Sequence, residues 1–115
     1  MNTVTLDLGG VDDGLAAFHR AWNTGRAEEG ARISFASPEL LWQVLTAKRW
    51  ALLRAMAGRG PQTVRGAARL VKRDVKAVHG DLQALLSAGI LRRTATGQIE
   101  FPFNAVRVDF LLKAA

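Results

Sequence analysis

Three stretches of the chain alternate apolar and polar residues with period two. In residues 3–8 the apolar positions are Val4, Leu6 and Leu8; in residues 31–36 Ile33 and Phe35 share a side; in residues 105–112 Val106, Val108, Phe110 and Leu112 fall in phase. Period two marks a strand with one face against a core. Gly9-Gly10 ends the first stretch, and Asp12 or Asp13 then caps a predicted helix running to about residue 26, with Leu15, Phe18 and Trp22 on one face. Unpaired backbone groups and half-exposed apolar faces are costly. The three stretches therefore predict a small sheet, formed in one chain or across a dimer, and an oligomerisation surface there.

Between residues 38 and 88 the spacing turns helical. Ser37-Pro38-Glu39 is a helix start, with Ser37 as cap and Pro38 at the first helical position. Leu40, Leu41, Val44 and Leu45 make a first short helix, and Thr46 caps a second whose predicted buried stripe is Trp50, Leu53 and Met56–Ala57. Two helices are favoured over one across residues 38–58. Gly58 and Gly60-Pro61 stop the second. Thr63 caps a brief helix with Val64, Ala67, Ala68 and Leu70 on its apolar side, ending near Val71. After Lys72-Arg73, Asp74 caps a longer helix on which Val75, Val78, Leu82, Leu85 and Leu86 recur with helical period through Ala88. Gly89 supplies the left-handed residue that ends it. Residues 90–94 and 98–103 then read as a β-hairpin turning at Thr96-Gly97, with Ile99, Phe101 and Phe103 on one face.

Short helix, tight turn, longer helix and hairpin are the order of a helix-turn-helix followed by a β-wing. The fold class expected is mainly α within α+β: a winged helix-turn-helix with short extra N- and C-terminal strands. Residues 1–37 are an extension for dimerisation or partner contact, residues 38–103 the DNA-binding unit, and residues 104–115 a strand packing on the extension, all in one compact domain. The apolar positions 67, 70, 75 and 78 brace the two helices. Helix 74–88 then turns its other face outward, with Lys76, Ala77, His79, Gly80 and Gln83. Lys76 and Gln83 suit hydrogen bonding to base edges in a major groove wide enough for one helix. Ala77 and Gly80 are small and allow close approach. A mid-helix glycine costs about 1 kcal/mol relative to alanine, so Gly80 implies a reason of fit, either packing or DNA approach. Thr63, Arg65, Arg69, Lys72 and Arg73 surround the turn where phosphates would pass. Arg92 and Arg93 begin the hairpin, and Thr94, Thr96, Gly97 and Gln98 form its tip, placed to touch phosphates or a neighbouring groove.

Charge sharpens this picture. The 115 residues hold 16 Lys+Arg and 10 Asp+Glu, a net charge of +6, and 12 of the bases are Arg. Residues 59–93 concentrate eight bases against only Asp74 and Asp81, whereas residues 1–37 are net acidic. Concentrated positive charge points to a polyanion, and the planar guanidinium fork suits phosphates and guanine edges. The acidic extension suits a surface turned away from DNA, or one docking a basic partner. A hydrophobic fraction of 49% and 23% charged residues are those of a packed globular protein. Absence of cysteine excludes disulfide scaffolds, Cys-ligated zinc, iron–sulfur clusters and thiol chemistry. The longest uncharged stretch, residues 82–91, is far short of the roughly 18 apolar residues a membrane span needs. With no basic lead-in at the N-terminus, a soluble cytoplasmic protein without membrane contact is expected.

Residues 38–103 resemble the winged-helix domain of MarR-like and ArsR-like transcription regulators. Three runs carry the resemblance: Thr46-Ala47-Lys48-Arg49; Val64-Arg65-Gly66-Ala67-Ala68-Arg69-Leu70; and, above all, Leu82-Gln83-Ala84-Leu85-Leu86-Ser87-Ala88-Gly89-Ile90-Leu91, which matches the helix-to-wing junction. The whole chain is also similar to small MarR-like DNA-binding proteins of prokaryotes, some encoded beside small toxin genes. The resemblance implies a homodimeric regulator of transcription bound to double-stranded DNA, with the antitoxin of a toxin–antitoxin pair, binding its operator and a small toxin, as the alternative. The chain lacks the long terminal dimerisation helices of MarR regulators and the cysteines of metal-sensing ArsR members. A winged helix used only for protein contacts is the third reading.

Enzymatic chemistry finds no foothold. His19 and His79 are 60 positions apart, Ser34, Ser37 and Ser87 lack a nucleophile elbow, and Glu28-Glu29 reads as a solvated helix end. No cofactor or metal site is expected. His79 is either DNA-facing or a surface residue without a role. Trp22, Trp42 and Trp50 read as core or interface anchors; Trp42, off the main stripe, either meets a second subunit or packs under the N-terminal segment.

Overall fold

A computed structural model describes residues 3–9 and 31–110. The chain is α+β. Its elements are β1 (Thr3–Leu8), β2 (Arg32–Phe35), α1 (Pro38–Val44), α2 (Ala47–Met56), α3 (Val64–Val71), α4 (Val75–Ser87), β3 (Arg92–Arg93), β4 (Ile99–Glu100) and β5 (Ala105–Asp109). The predicted helix to about residue 26, with His19, Trp22 and Glu28-Glu29, lies outside the described residues, as does Leu112. Among the described residues, no helix is long and apolar enough to cross a membrane.

Each helix starts where a side chain satisfies backbone donors that the first turn leaves free. Ser37 Oγ accepts from Leu40 N–H, Thr46 Oγ1 from Arg49 N–H, and Thr63 Oγ1 from Gly66 N–H at 2.9 Å. Asp74 Oδ2 accepts from both Lys76 and Ala77 N–H, at 3.0 and 3.2 Å. Helix α4 stops at Gly89, whose φ of +85° costs a residue without Cβ little. The N–H groups of Ile90 and Leu91 then turn back to the Leu85 carbonyl.

That closure corrects the hairpin. Residues 90–94 and 98–103 were expected as strands, but pairing is limited to Arg92↔Glu100 and Arg93↔Ile99. Ile90 and Leu91 spend their N–H groups ending α4, and Pro102 has none to offer a continuing ladder. The turn closes where expected, with Gly97 N–H on the Thr94 carbonyl and Thr94 N–H on the Gln98 carbonyl. Gln62, just before α3, exchanges both backbone hydrogen bonds with Ile99 and anchors the hairpin to the helices.

The three alternating stretches pair within one chain, in the order β2-β1-β5, and both pairings are parallel. Parallel neighbours need long crossovers, which the intervening segments supply. Register aligns Val4 with Val106, Leu6 with both Ile33 and Val108, and Leu8 with Phe35, so one face is apolar. The opposite face carries Thr3, Thr5, Asp7, Arg32, Ser34, Ala105, Arg107 and Asp109. There Asp7, 7% exposed, is held by Arg32 and by Ser34, whose Oγ donates at 2.6 Å.

The core joins Val4 and Leu6 of the sheet to Leu41, Leu45, Leu52, Leu53, Met56, Ala67, Ala68, Val78, Leu82, Leu85, Ile90 and Ile99. Two assignments change. Trp50 is 38% exposed, because the inward stripe of α2 is Leu52, Leu53 and Met56, one position out of step with it. It lines an apolar recess with Leu53, Ala57, Phe101 and Val106. Val75 is 42% exposed, because it opens α4 before any earlier turn covers it.

Candidate nucleic-acid interface

Four of the bases expected at the turn come together in the structure. Arg65, Arg69, Lys72 and Arg73 line an open concavity with Ala68 and Val75, where α3 hands over to α4. Arg65 and Arg69 lie four apart on the exposed side of α3, and its inward side buries Ala67 and Ala68. Lys72 caps α3 in the left-handed conformation, φ 54° and ψ 49°, and among the described residues no other non-glycine has positive φ. A glycine would hold that geometry more cheaply, by roughly 1 kcal/mol. The turn instead presents an exposed ammonium.

Arg73 behaves differently from its neighbours. Expected as a free phosphate ligand, it is half-buried, and its Nη2 lies 2.8 Å from Asp81 Oδ2 in α4. The same carboxylate accepts from Arg49 Nε at 3.0 Å. Arg49 Nη1 donates in turn to the Gln43 and Val44 carbonyls at the end of α1. Burial pushes the Asp81 carboxyl up, but the Arg73 and Arg49 guanidinium groups beside it outweigh that and hold the group below its ordinary value. Arg73 is not fully satisfied by this pair. Its Nη1 is buried with no hydrogen-bond partner, and the contact to Oδ2 is an ion pair without hydrogen-bond alignment. One carboxylate thus ties α1, α2, the turn and α4 together behind the cationic concavity.

The hub is absent from the expected site, although the sequence carries two signals of it. Arg49 sits in the first turn of a helix, where the macrodipole disfavours a cation, so it needed another partner. Asp81 is the lone acid within α4 and falls beside the core stripe of Val78, Leu82 and Leu85.

On α4, Lys76, Ala77, His79 and Gly80 are exposed and Gln83 is half-buried. Positions 76, 79, 80 and 83 follow one helical stripe. Gln83 Nε2 lies 3.5 Å from His79 Nε2, close enough for each to steer the other. A Cβ on Gly80 would meet nothing within 4 Å among the described residues, so packing against them does not explain the glycine. Thr63 is exposed, but its hydroxyl oxygen is engaged as a cap.

The hairpin carries the second group. Arg92 was expected as a free phosphate contact; its Nε instead donates to Glu100 Oε1 at 2.6 Å across the pair, with 66% of its side chain still exposed. Arg93 is exposed, with one long contact of 3.5 Å to the Gly97 carbonyl. Thr94 and Thr96 share a hydroxyl contact of 3.0 Å, Thr94 Oγ1 also accepts from Gln98 N–H, and Thr96 and Gly97 stand exposed at the tip. Among the described residues no three His, Asp or Glu side chains gather into a metal site.

The HVO_A0114 family model matches residues 44–108, more than half of the chain. The chain belongs to the HVO_A0114 family. The match takes in α2, α3, α4, the hairpin and all but the last residue of β5, so the concavity, the α4 stripe and the Asp81 hub all fall within the HVO_A0114 region. It leaves out β1, β2 and nearly all of α1. No curated protein and no solved structure matches the chain.

Proposed function

We propose that this protein is a DNA-binding transcriptional regulator built as a winged helix-turn-helix. Helix α4 enters the major groove of double-stranded DNA, the α3–α4 turn follows the phosphates, and the β3–β4 hairpin is the wing. The observation that carries the reading is the single-sign surface at the turn. Arg65, Arg69 and Lys72 are exposed around one concavity, and the outward stripe of α4 begins at its rim. No acid lines the concavity, and Asp74 at the turn accepts the Lys76 and Ala77 N–H groups, so the three cations repel one another unless an anion lies between them, and a phosphate backbone supplies anions at regular spacing. The open flank of Gly80 supports the same reading, because it lets backbone come close to a groove floor.

Within this reading Lys72, Arg69 and Arg65 neutralise phosphates, with Arg93 doing so from the wing. Lys76, His79 and Gln83 read base edges, and the exposed Val75 is an apolar contact suited to a thymine methyl. Arg73 and Arg92 hold the frame.

Binding of labelled duplexes spanning the DNA upstream of the protein's own gene, measured by anisotropy across a salt series, tests this. Affinity is expected to fall with salt at a log–log slope of about −0.9 per neutralised phosphate. Arg69→Ala should weaken binding to every duplex and flatten the slope by about 1. Lys76→Ala and Gln83→Ala should relax sequence preference instead. Absence of duplex binding at low salt would overturn the proposal.

A further inference from the structure

The free edge of β5 matches itself. Among the described residues, β1 pairs with β5 on one side and no strand pairs with the other. On the polar face of β5 stand Arg107 and Asp109, both exposed and neither paired with any described residue. Asp109 moreover aligns in register with Asp7 of β1, so its nearest neighbour across the sheet is a like charge. On the other face Val108 is 36% exposed, Val106 is half-buried, and Phe110, just past the strand, packs edge-on against Trp42 at a centroid distance of 5.6 Å. Trp42 is itself 53% exposed and Leu40 beside it 44%. An apolar strip thus continues the core-facing side of the sheet past its last strand.

We propose that two copies of this chain join edge to edge through antiparallel β5 strands, with Val108 on the two-fold axis. That register sets Arg107 opposite Asp109 of the second copy, and Asp109 opposite its Arg107, giving two ion pairs on the polar face. On the apolar face Val108 meets its own counterpart, and Val106 meets Phe110 in both directions. Neighbouring registers fail. Centring on Arg107 sets guanidinium against guanidinium, and centring on Asp109 sets carboxylate against carboxylate. A slip of one residue places apolar side chains opposite charges. The β2 edge offers no such match, because Arg32 and Ser34 are already held by Asp7. A self-paired strand also closes the assembly, since joining β5 to the β2 edge of another copy would leave open ends and build a filament. The result is a continuous sheet ordered β2-β1-β5-β5-β1-β2. The β5 edge shares no residue with the proposed DNA surface, and the pairing does not rest on that reading.

The test reads mass by analytical ultracentrifugation at micromolar protein without nucleic acid, so its outcome is separate from that of the duplex titrations. The wild-type chain should sediment as a dimer. Arg107→Asp and Asp109→Arg should each weaken dimerisation at least tenfold, because each sets like charges face to face. The exchange variant carrying both substitutions should restore the dimer. As a check that does not depend on weakening the fold, Val108→Cys should cross-link into a covalent dimer on oxidation, since residues opposed on an antiparallel axis lie within disulfide reach. The chain has no cysteine of its own to interfere. Ser34→Cys on the β2 edge should not cross-link. A monomeric wild type, failure of the exchange to restore the dimer, or cross-linking through position 34 rather than 108 would overturn the proposal.

Discussion

Two regions of this molecule show unneutralised charge, and they differ in sign pattern. The concavity where α3 meets α4 is lined by Arg65, Arg69 and Lys72 and by no acid. The β5 edge carries Arg107 and Asp109 two residues apart. A surface of one sign calls for a partner of the other sign, and a polyanion answers it. A surface holding both signs at a two-residue interval is complementary to its own rotated copy. The arrangement of charge, more than its amount, therefore tells the two partners apart.

The sharpest way to break this division is to reverse the single-sign face. Arg69→Glu with Lys72→Glu should lower duplex affinity by about 100-fold or more at moderate salt, flatten the salt dependence, and leave the melting temperature nearly unchanged, since both side chains are exposed. Next in size is Asp7→Asn at the sheet. It leaves Arg32 beside a neutral, buried amide and should destabilise the fold by about 2–3 kcal/mol in urea melts, without changing the salt slope of duplex binding. If Asp7→Asn flattened that slope as much as the double reversal, the two regions would not be separate.

Asp81→Asn comes third, at about 1–2 kcal/mol, because the hub is partly open to solvent. Its pH dependence has a definite sign. The folded-state pKa of Asp81 lies below its ordinary value of 3.8, so the stabilisation is complete above that pH and is lost as pH falls through the lowered folded value. The stability gap between wild type and Asp81→Asn should therefore be constant near neutrality and narrow in acid. The smallest effect separates the two roles of the turn most cleanly. Lys72→Gly should raise stability by up to about 1 kcal/mol by relieving the left-handed lysine, and should weaken duplex binding several-fold. Stability and affinity moving in opposite directions at one residue is an outcome that a purely structural turn would not give.

Much of the helical half was legible because its signals are local. Ser37, Thr46, Thr63 and Asp74 cap where the sequence placed them, and Gly89 stops α4, because caps and left-handed glycines act within a few residues. What depends on distant contacts was not legible. Alternation in residues 3–8 and 105–112 indicates a strand with two unlike faces but is silent on direction, and both pairings are parallel. The position of Trp50 is set by which side of α2 meets α3, a choice its periodicity left ambiguous. Charge counting drew Arg73 to the turn as a phosphate ligand but did not weigh Asp81, which ion-pairs with it and with Arg49 across elements far apart in the sequence.

The parallel central strand has a consequence for how the chain reaches its final form. β1 aligns Thr3 with Ala105, so its second neighbour is separated from it by every helix in between. Contacts so remote along the sequence carry a large closure entropy and form late. During synthesis the helices can assemble as soon as they emerge, whereas β1 must wait for β5 before its second side is covered.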